Sequence, residues 1–221
     1  MRLFLTPFVT PCVVTANAAR KLFNLILVLP LLALVIGAPA ALAESQDPKV
    51  LVEQVTEELL STAKKYSGGD AQQEAFFTEV ETILERVVDF RYIARAVMGK
   101  DAFSKATAEQ RAQFAEAFKS GLVRSYAKGI AGYANSDIKV VSATINPQDA
   151  RRAVVRQEVS YEGNIHQLTY TMRQQNDEWK LINVILNGVN LGQSFSSQFS
   201  AAMQKEGGDI DKVIAGWLAD A

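Results

Sequence analysis

Residues 153–173, AVVRQEVSYEGNIHQLTYTMR, determine the fold class that we predict for this chain. Apolar and polar residues alternate on both sides of the segment Glu162-Gly163-Asn164. The apolar positions are Ala153, Val155, Val159, Tyr161, Leu168, Tyr170 and Met172. An alternation with a period of two is typical of a half-buried strand. The Gly-containing segment between the two runs predicts a β-hairpin.

Two further strands are predicted beside this hairpin. A β-branched run from 138 to 145 ends at Asn146-Pro147, and a run from 179 to 186 follows the turn residues Asn176-Asp177. Short connections join antiparallel neighbours, so these four strands predict an antiparallel meander. Because the central hairpin is apolar only at every second residue, we expect one face of the sheet to be covered.

Helical periodicity replaces the alternation on both sides of the sheet. Asp47-Pro48 predicts a helix start, Thr107-x-x-Gln110 is a capping box, and Gly99 predicts a helix stop. We expect four helices before the sheet and two after it, around 194–205 and from 209. Helices, then hairpins, then helices is the order of a single-domain α+β fold, not of a parallel βαβ fold.

Residues 1–43 have the layout of a secretory signal peptide. They contain no Asp or Glu, and a few basic residues precede the apolar run at 22–37. That run is shorter than the roughly 20 residues of a membrane-spanning helix. Ala41-Leu42-Ala43 has the small-x-small pattern that precedes a cleavage point. We therefore predict a cleaved signal peptide, in preference to a membrane anchor, and a mature domain at 44–221.

The charge and cysteine counts exclude several classes of protein. The chain has 221 residues, 23 Lys and Arg, 24 Asp and Glu, one His and one Cys. A formal net charge of −1 argues against nucleic-acid binding, which needs a clustered basic excess. Cys12 lies in the predicted signal peptide, so no disulfide is expected in the mature chain. One His and one Cys leave no zinc cluster.

Candidate catalytic chemistry is sparse. His166, the only imidazole, lies just after the hairpin turn, where we interpret it as a polar residue beside the turn and not as a triad member. Asp209-x-Asp211 is better explained as the cap and first turn of the last helix than as a metal loop. No dinucleotide, P-loop, zinc-protease or hydrolase motif occurs. We predict that the protein is not an enzyme.

The abundant apolar residues allow two interpretations. They either fill an ordinary core or line a cavity that a helical layer leaves against a curved sheet. Composition does not distinguish these two arrangements, because the same residue types form both.

Four stretches resemble the MlaC family, also called the toluene-tolerance family, and together they run from about residue 47 to 218. The stretches are DFRYIARAVMG at 89–99, ATAEQRAQFAEAFKSGL at 106–122 with Tyr126-Ala127 one turn later, the Tyr170 strand leading to Trp179-Lys180, and Gly188-Val189-x-Leu191 followed by the Ser197-Gln198-Phe199 helix. The chain departs from relatives at Ile182-Asn183 and at Ser194-Phe195-Ser196, where they often have Tyr-Asp and Asn-Tyr-Arg.

The resemblance implies a periplasmic phospholipid carrier that serves an ABC lipid-transport system and maintains outer-membrane lipid asymmetry. The family fold is α+β, with helices packed on a curved antiparallel sheet of the NTF2/cystatin type. Acyl chains would be enclosed between helices and sheet, and the phospholipid would be cargo, with no cofactor. The protein partners would be an inner-membrane ABC transporter complex with a lipid-binding ring and an outer-membrane lipoprotein complex.

Periodicity and the resemblance together predict which residues line the lipid site. They are Phe90, Ile93, Val97, Phe114, Phe118, Leu122, Tyr126, Val141, Val155, Val159, Leu168, Tyr170, Met172, Ile182, Val184, Val189, Leu191, Phe195 and Phe199. Two alternatives are an enzyme on an NTF2-like scaffold and a periplasmic interaction module or chaperone with a filled core. Two or more carboxylates in a pocket beside His166 would favour the enzyme, and the lack of a continuous apolar cavity would favour the module.

Overall fold

The computed structural model describes residues 46–66 and 72–219. The predicted signal peptide, 1–43, lies outside these residues. The elements in chain order are α1 (Pro48–Lys65), α2 (Gln73–Val87), α3 (Phe90–Lys105), α4 (Ala108–Gly132), β1 (Asp137–Asn146), β2 (Asp149–Tyr161), β3 (Asn164–Gln175), β4 (Glu178–Leu186), β5 (Val189–Asn190), α5 (Leu191–Lys205) and α6 (Ile210–Ala219). Within the described ranges, no helix is both long and apolar enough to cross a membrane.

The strands form one antiparallel sheet in the order β1-β2-β3-β4-β5. This confirms the predicted meander and the α+β class, and adds the two-residue strand β5. The tight turns carry left-handed backbone at Glu162-Gly163, Asn176-Asp177 and Asn187-Gly188, the conformation that two-residue hairpin turns require. Register shifts in β1, after Val140, and between β3 and β4, after Thr171, mark β-bulges, which bend a strand and increase its twist.

Local capping signals set the helix boundaries as predicted. The Asp47 side chain accepts a hydrogen bond from the Lys49 amide, and Thr107 and Gln110 form the reciprocal capping box. Asp209 accepts from the Lys212 amide at 3.1 Å, which confirms its role as the cap of α6. Gly99 adopts φ 71° inside α3, so the predicted stop is a kink between two helical pieces.

Three separate groups of buried side chains hold the fold together. A helical core joins α3, α4, α5 and α6, and in it the Phe114 ring lies 4.9 Å from Phe199 and 5.4 Å from Trp217. A second core joins α1, α2 and α4 around Val80. A third packs Val52 of α1 on the sheet, against Val155 and neighbouring side chains. The helices therefore cover one face of the sheet, which we call the inner face.

Candidate functional site

The inner face of the sheet is apolar and loses its cover toward one end. On β3, the inner-face residue Met172 is 1% exposed, whereas Leu168, nearer the turn at 162–163, is half-buried. On β4, Ile182 is buried and Val184 is half-buried. Both strands therefore become more exposed toward the turns at 162–163 and 187–188. We call this end of the sheet the open end.

Helix α4 shows the same change in exposure along its length. Phe114 and Phe118 are fully buried, Leu122 is half-buried and Tyr126 is 42% exposed. The ring of Tyr133, which caps the C-terminus of α4, lies 4.8 Å from the ring of Tyr161 at the open end of the sheet. Residues 122, 126 and 133 lie on one side of a helix. This side of α4 therefore faces the inner face of the sheet.

Helix α5 borders the opening from the side of β4. Its Phe199 is 2% exposed, whereas Phe195 and Leu191, nearer the open end, are half-buried. The Phe195 ring lies 5.3 Å from Phe118 and 6.4 Å from Tyr126. Asn183 of β4 accepts a hydrogen bond from the Gly192 amide at 3.3 Å, which holds the start of α5 against the sheet.

Apolar side chains on four elements thus pass from buried to half-exposed toward one end of the molecule. Seven predicted lining residues lie in the half-exposed zone, which we call the inner apolar surface: Leu122, Tyr126, Leu168, Tyr170, Val184, Leu191 and Phe195. Large apolar groups left partly in water at the boundary between packed cores are the surface that an apolar ligand would cover.

The other predicted lining residues lie deeper or outside. Ten are buried: Phe90, Ile93, Val97, Phe114, Phe118, Val155, Val159, Met172, Ile182 and Phe199. Two are exposed, Val141 at 51% and Val189 at 55%. The bulge after Val140 accounts for the exposure of Val141. Val140 pairs with the inner-face residue Gln157, and Val141 is the extra residue that interrupts the alternation of inner and outer side chains. The contribution of these twelve residues to a lipid site stays a prediction.

A chain of buried polar groups links the sheet to α1; it joins Tyr170, which was predicted to line the site, to Gln157 and Thr56, which were not. The Tyr170 hydroxyl donates to Oε1 of Gln157 at 2.6 Å, and Nε2 of Gln157 donates to Oγ1 of Thr56 at 2.8 Å. Gln157 is only 4% exposed, and burial raises the pKa of Tyr170, so its hydroxyl stays protonated and can donate. The sequence signal for this chain was Gln157, a polar residue between Val155 and Val159 in the otherwise apolar alternation of β2.

We expect Tyr170→Phe to lower the free energy of unfolding by about 1–3 kcal/mol, because the buried Gln157 oxygen loses its donor. Urea unfolding of the lipid-free protein measures this. Tyr161→Phe on β2 is the matched control and is expected to change stability by about 0.5 kcal/mol or less. Equal effects of the two substitutions would contradict a stabilising role for the chain.

Two grooves of similar size lie outside the inner apolar surface. One, of about 660 Å³, runs between α1 and β1 and is lined by charged residues such as Glu53 and Lys139 and by the apolar residues Leu60, Ile138, Val140 and Val141. The other, of about 650 Å³, lies between α2, α4 and α6 beside Glu81, Lys119 and Asp211. Each groove carries charged side chains that an acyl chain would cover, and removing their hydration costs free energy that the inner apolar surface does not demand.

Lys119 in the second groove is a stabilising centre. Its ammonium lies 2.9 Å from Glu81, 2.5 Å from Glu85 and 2.7 Å from Glu116. Burial lowers the pKa of Lys119, but the hydrogen bonds to these three carboxylates outweigh it and hold the pKa above its usual value. The charge of Lys119 therefore joins α2 to α4.

We expect Lys119→Met to destabilise the fold by about 2 kcal/mol, since three carboxylates lose their shared cation. The pKa is higher in the folded state than the roughly 10.4 of an unfolded chain. The stabilisation is therefore fully present below about pH 10 and declines as the pH rises further. Urea unfolding of both proteins at pH 8 and at pH 11 measures this difference. A difference that grows at alkaline pH would contradict the assignment.

His166 contacts an amide side chain and an aromatic ring beside the turn that precedes it. Its Nδ1 lies 3.1 Å from Nδ2 of Asn187, and its ring packs 5.9 Å from Tyr133. In the part of the chain that the structure describes, no group of three or more His, Cys, Asp or Glu side chains could hold a metal. Neither groove described above includes His166.

These features define an α+β protein whose helical layer covers one face of an antiparallel meander and leaves an apolar surface open at one end. The sequence profile of the MlaC protein family matches residues 53–219, and the chain belongs to the MlaC family. The predicted resemblance is thereby confirmed.

Two known proteins are similar to this chain. The toluene tolerance protein ttg2D of Pseudomonas putida is 36% identical over 192 residues, which cover 86% of this chain and 88% of that protein. A phospholipid-binding protein from Ralstonia solanacearum, solved in complex with a phospholipid, has a TM-score of 0.68 and 26% identity. The match covers 78% of this chain and 99% of that one.

Proposed function

We propose that this protein is a phospholipid carrier that shelters acyl chains on the inner apolar surface. The observation that carries the proposal is the change from buried to half-exposed apolar side chains toward one end of α4, α5, β3 and β4. The similar protein from Ralstonia solanacearum, solved with a bound phospholipid, supports the same ligand class.

The energetics of acyl chains favour an enclosing site. Removing a methylene from water is worth about 0.8 kcal/mol, so a chain of roughly fifteen methylenes gains about 12 kcal/mol when fully covered. A shallow patch recovers only part of this. Insertion between α4, α5 and the sheet would cover an acyl chain on several sides. Binding of the acyl chain would require no hydrogen bonds to it.

The carrier works in the periplasm, and residues 1–43 direct its export to that compartment. It exchanges phospholipid with an inner-membrane ABC complex that has a lipid-binding ring and with an outer-membrane lipoprotein complex, and so maintains outer-membrane lipid asymmetry. Membership in the MlaC family and the layout of residues 1–43 support these steps. The protein catalyses no reaction and uses no cofactor. The match to the MlaC family and the similarity to a phospholipid-binding protein support a binding role in preference to an enzymatic one.

A vesicle assay tests the carrier activity. Donor vesicles contain a self-quenched fluorescent phospholipid, and acceptor vesicles contain none. We expect the mature protein, residues 44–221, to raise the rate of dequenching in proportion to its concentration. A rate equal to that of heat-unfolded protein would contradict a carrier function.

A further inference from the structure

The groove between α1 and β1, which we call the α1–β1 groove, adjoins the inner apolar surface on the same face of the sheet. In the strand register, Val140 of β1 pairs with Gln157 of β2, and Gln157 pairs with Leu168 of β3. Directly paired residues lie on one face of an antiparallel sheet. Val140 and Gln157 line the groove, and Leu168 belongs to the inner apolar surface. Gln157 therefore lies at the border between the two.

The hydrogen bonds around Gln157 have defined directions. The Thr56 hydroxyl donates to the Val52 carbonyl at 2.7 Å, so its oxygen accepts from Nε2 of Gln157 at 2.8 Å. The Tyr170 hydroxyl donates to Oε1 of Gln157 at 2.6 Å. A side-chain amide has two N–H donors, and the second donor of Gln157 has no acceptor among the described residues. Because Gln157 is only 4% exposed, this donor is also largely withheld from water.

A buried N–H donor without an acceptor is unfavourable and calls for an explanation. A ligand that crosses the border at Gln157 and carries an acceptor there would satisfy the donor. The ester carbonyls of a diacyl glycerophospholipid are acceptors of this kind. They lie between the acyl chains and the phosphate of the lipid, as Gln157 lies between an apolar surface and a groove with charged walls.

We propose that Gln157 donates a hydrogen bond to an ester carbonyl of a bound diacyl glycerophospholipid, whose head group occupies the α1–β1 groove. The acyl chains lie on the inner apolar surface. The inference rests on the proposed carrier function. It adds the residue that recognises the glycerol backbone of the lipid and the position of its head group.

The walls of the α1–β1 groove suit a head group better than an acyl chain. They combine acidic and basic side chains, such as Glu57 and Lys139, with apolar ones, such as Leu60 and Ile138. The phosphate and the ammonium group of a zwitterionic head group would each find an opposite charge there. A polar ligand group can pair with these side chains when it covers them, so the desolvation cost that opposes an acyl chain is reduced. The volume of about 660 Å³ is in the ordinary range of ligand sites.

A pair of matched lipids tests the contact at Gln157. Vesicles contain equal amounts of diacyl phosphatidylethanolamine and of its dialkyl analogue, whose ether linkages have no carbonyl. Native mass spectrometry of residues 44–221 after incubation measures which lipid is bound. We expect the wild type to favour the diacyl lipid about threefold to tenfold, the range that one hydrogen bond provides. Gln157→Met should bind the two lipids equally.

Thr56→Val is the matched control, because it breaks the same polar chain but leaves the amide of Gln157 in place. It should therefore keep the preference for the diacyl lipid. Loss of the preference in Thr56→Val as well would indicate a structural effect and overturn the contact. A wild type without the preference, or a folded Gln157→Met that keeps it, would also overturn it. The wild-type comparison requires no substitution, so it holds even if Gln157→Met folds poorly.

Cross-linking tests the position of the head group. The predicted mature chain has no cysteine, because Cys12 is the only one in the sequence. Ser61→Cys places a thiol in the α1–β1 groove, whereas Gln193→Cys places one on the exposed first turn of α5, beside the open end. Each variant is loaded with phosphatidylethanolamine that carries a maleimide on its amine, and the vesicles are removed. Mass spectrometry then follows the addition of the thiol to the maleimide.

We expect Ser61→Cys to react more than about tenfold faster than Gln193→Cys, because the bound lipid holds the maleimide beside the groove thiol. Equal rates, faster reaction of Gln193→Cys, or loaded protein in which neither thiol reacts would overturn the position of the head group. Failure of the wild type to take up either lipid would instead refute the carrier function. The two proposals can therefore fail separately.

Discussion

Leu122→Asp is expected to abolish phospholipid retention while leaving the protein folded. Leu122 is half-buried on the side of α4 that faces the sheet, between the buried Phe118 and the exposed Tyr126. A carboxylate at this position would remain partly hydrated in the lipid-free protein but would be covered by an acyl chain in the complex. The cost of removing an unpaired charge from water then opposes lipid binding. Lipid occupancy, measured by native mass spectrometry, should fall more than about tenfold.

The control for this substitution is Val154→Asp, which places the same charge on β2 at a position that is 38% exposed. It should keep wild-type lipid occupancy. Leu168→Asp introduces the charge from the opposite wall, on β3, and provides a second test if the first variant folds poorly. Circular dichroism and thermal unfolding establish that each variant is folded. If folded Leu122→Asp and Leu168→Asp kept the lipid occupancy of the wild type, neither residue would belong to the lipid site.

Phe114→Ala is expected to lower the free energy of unfolding by about 3–5 kcal/mol, the largest stability effect that we predict. Phe114 is 0% exposed and packs against Phe118, Phe199 and Trp217 in the helical core. Its removal leaves a cavity among rings on α4, α5 and α6. Because the ring lies deep in this core, the folded fraction of the variant should keep its lipid. Urea unfolding of the lipid-free protein measures the stability change.

Phe195→Ala is the matched comparison, since it removes the same side chain from the inner apolar surface. Phe195 is only half-buried, so the loss of stability should be smaller than for Phe114→Ala. Its lipid occupancy should decrease, because the ring lies beside Tyr126 at the open end. If Phe114→Ala emptied the site and Phe195→Ala did not, the boundary that we draw between core and site would be wrong.

The fold was predictable where local chemistry specifies it. The capping box at Thr107 and the turns at Glu162-Gly163 and Asn176-Asp177 act over a few residues, and each is present in the structure. The bulge that follows Val140 was not predictable, because it depends on how β1 pairs with β2. One extra residue reverses the alternation, and Val141, which follows Val140 at this point, is 51% exposed.

The candidate site shows a similar division. The four-residue spacing of Phe114, Phe118, Leu122 and Tyr126 correctly identifies one face of α4, but spacing gives no information on depth along the helix axis. Depth depends on α5 and α6, which bury the rings of Phe114 and Phe118 and leave Leu122 and Tyr126 partly exposed. The link from Gln157 to Thr56 joins residues far apart in the sequence, and only the tertiary structure reveals that pairing.

The most direct test of the account is native mass spectrometry of the mature protein, purified from cells without detergent. We expect a dominant species whose mass exceeds that of residues 44–221 by one or more phospholipids, and release of the same lipids when the protein is unfolded. A protein that is empty on purification, and that remains empty after incubation with phospholipid vesicles, would contradict the assignment of the inner apolar surface as a phospholipid site.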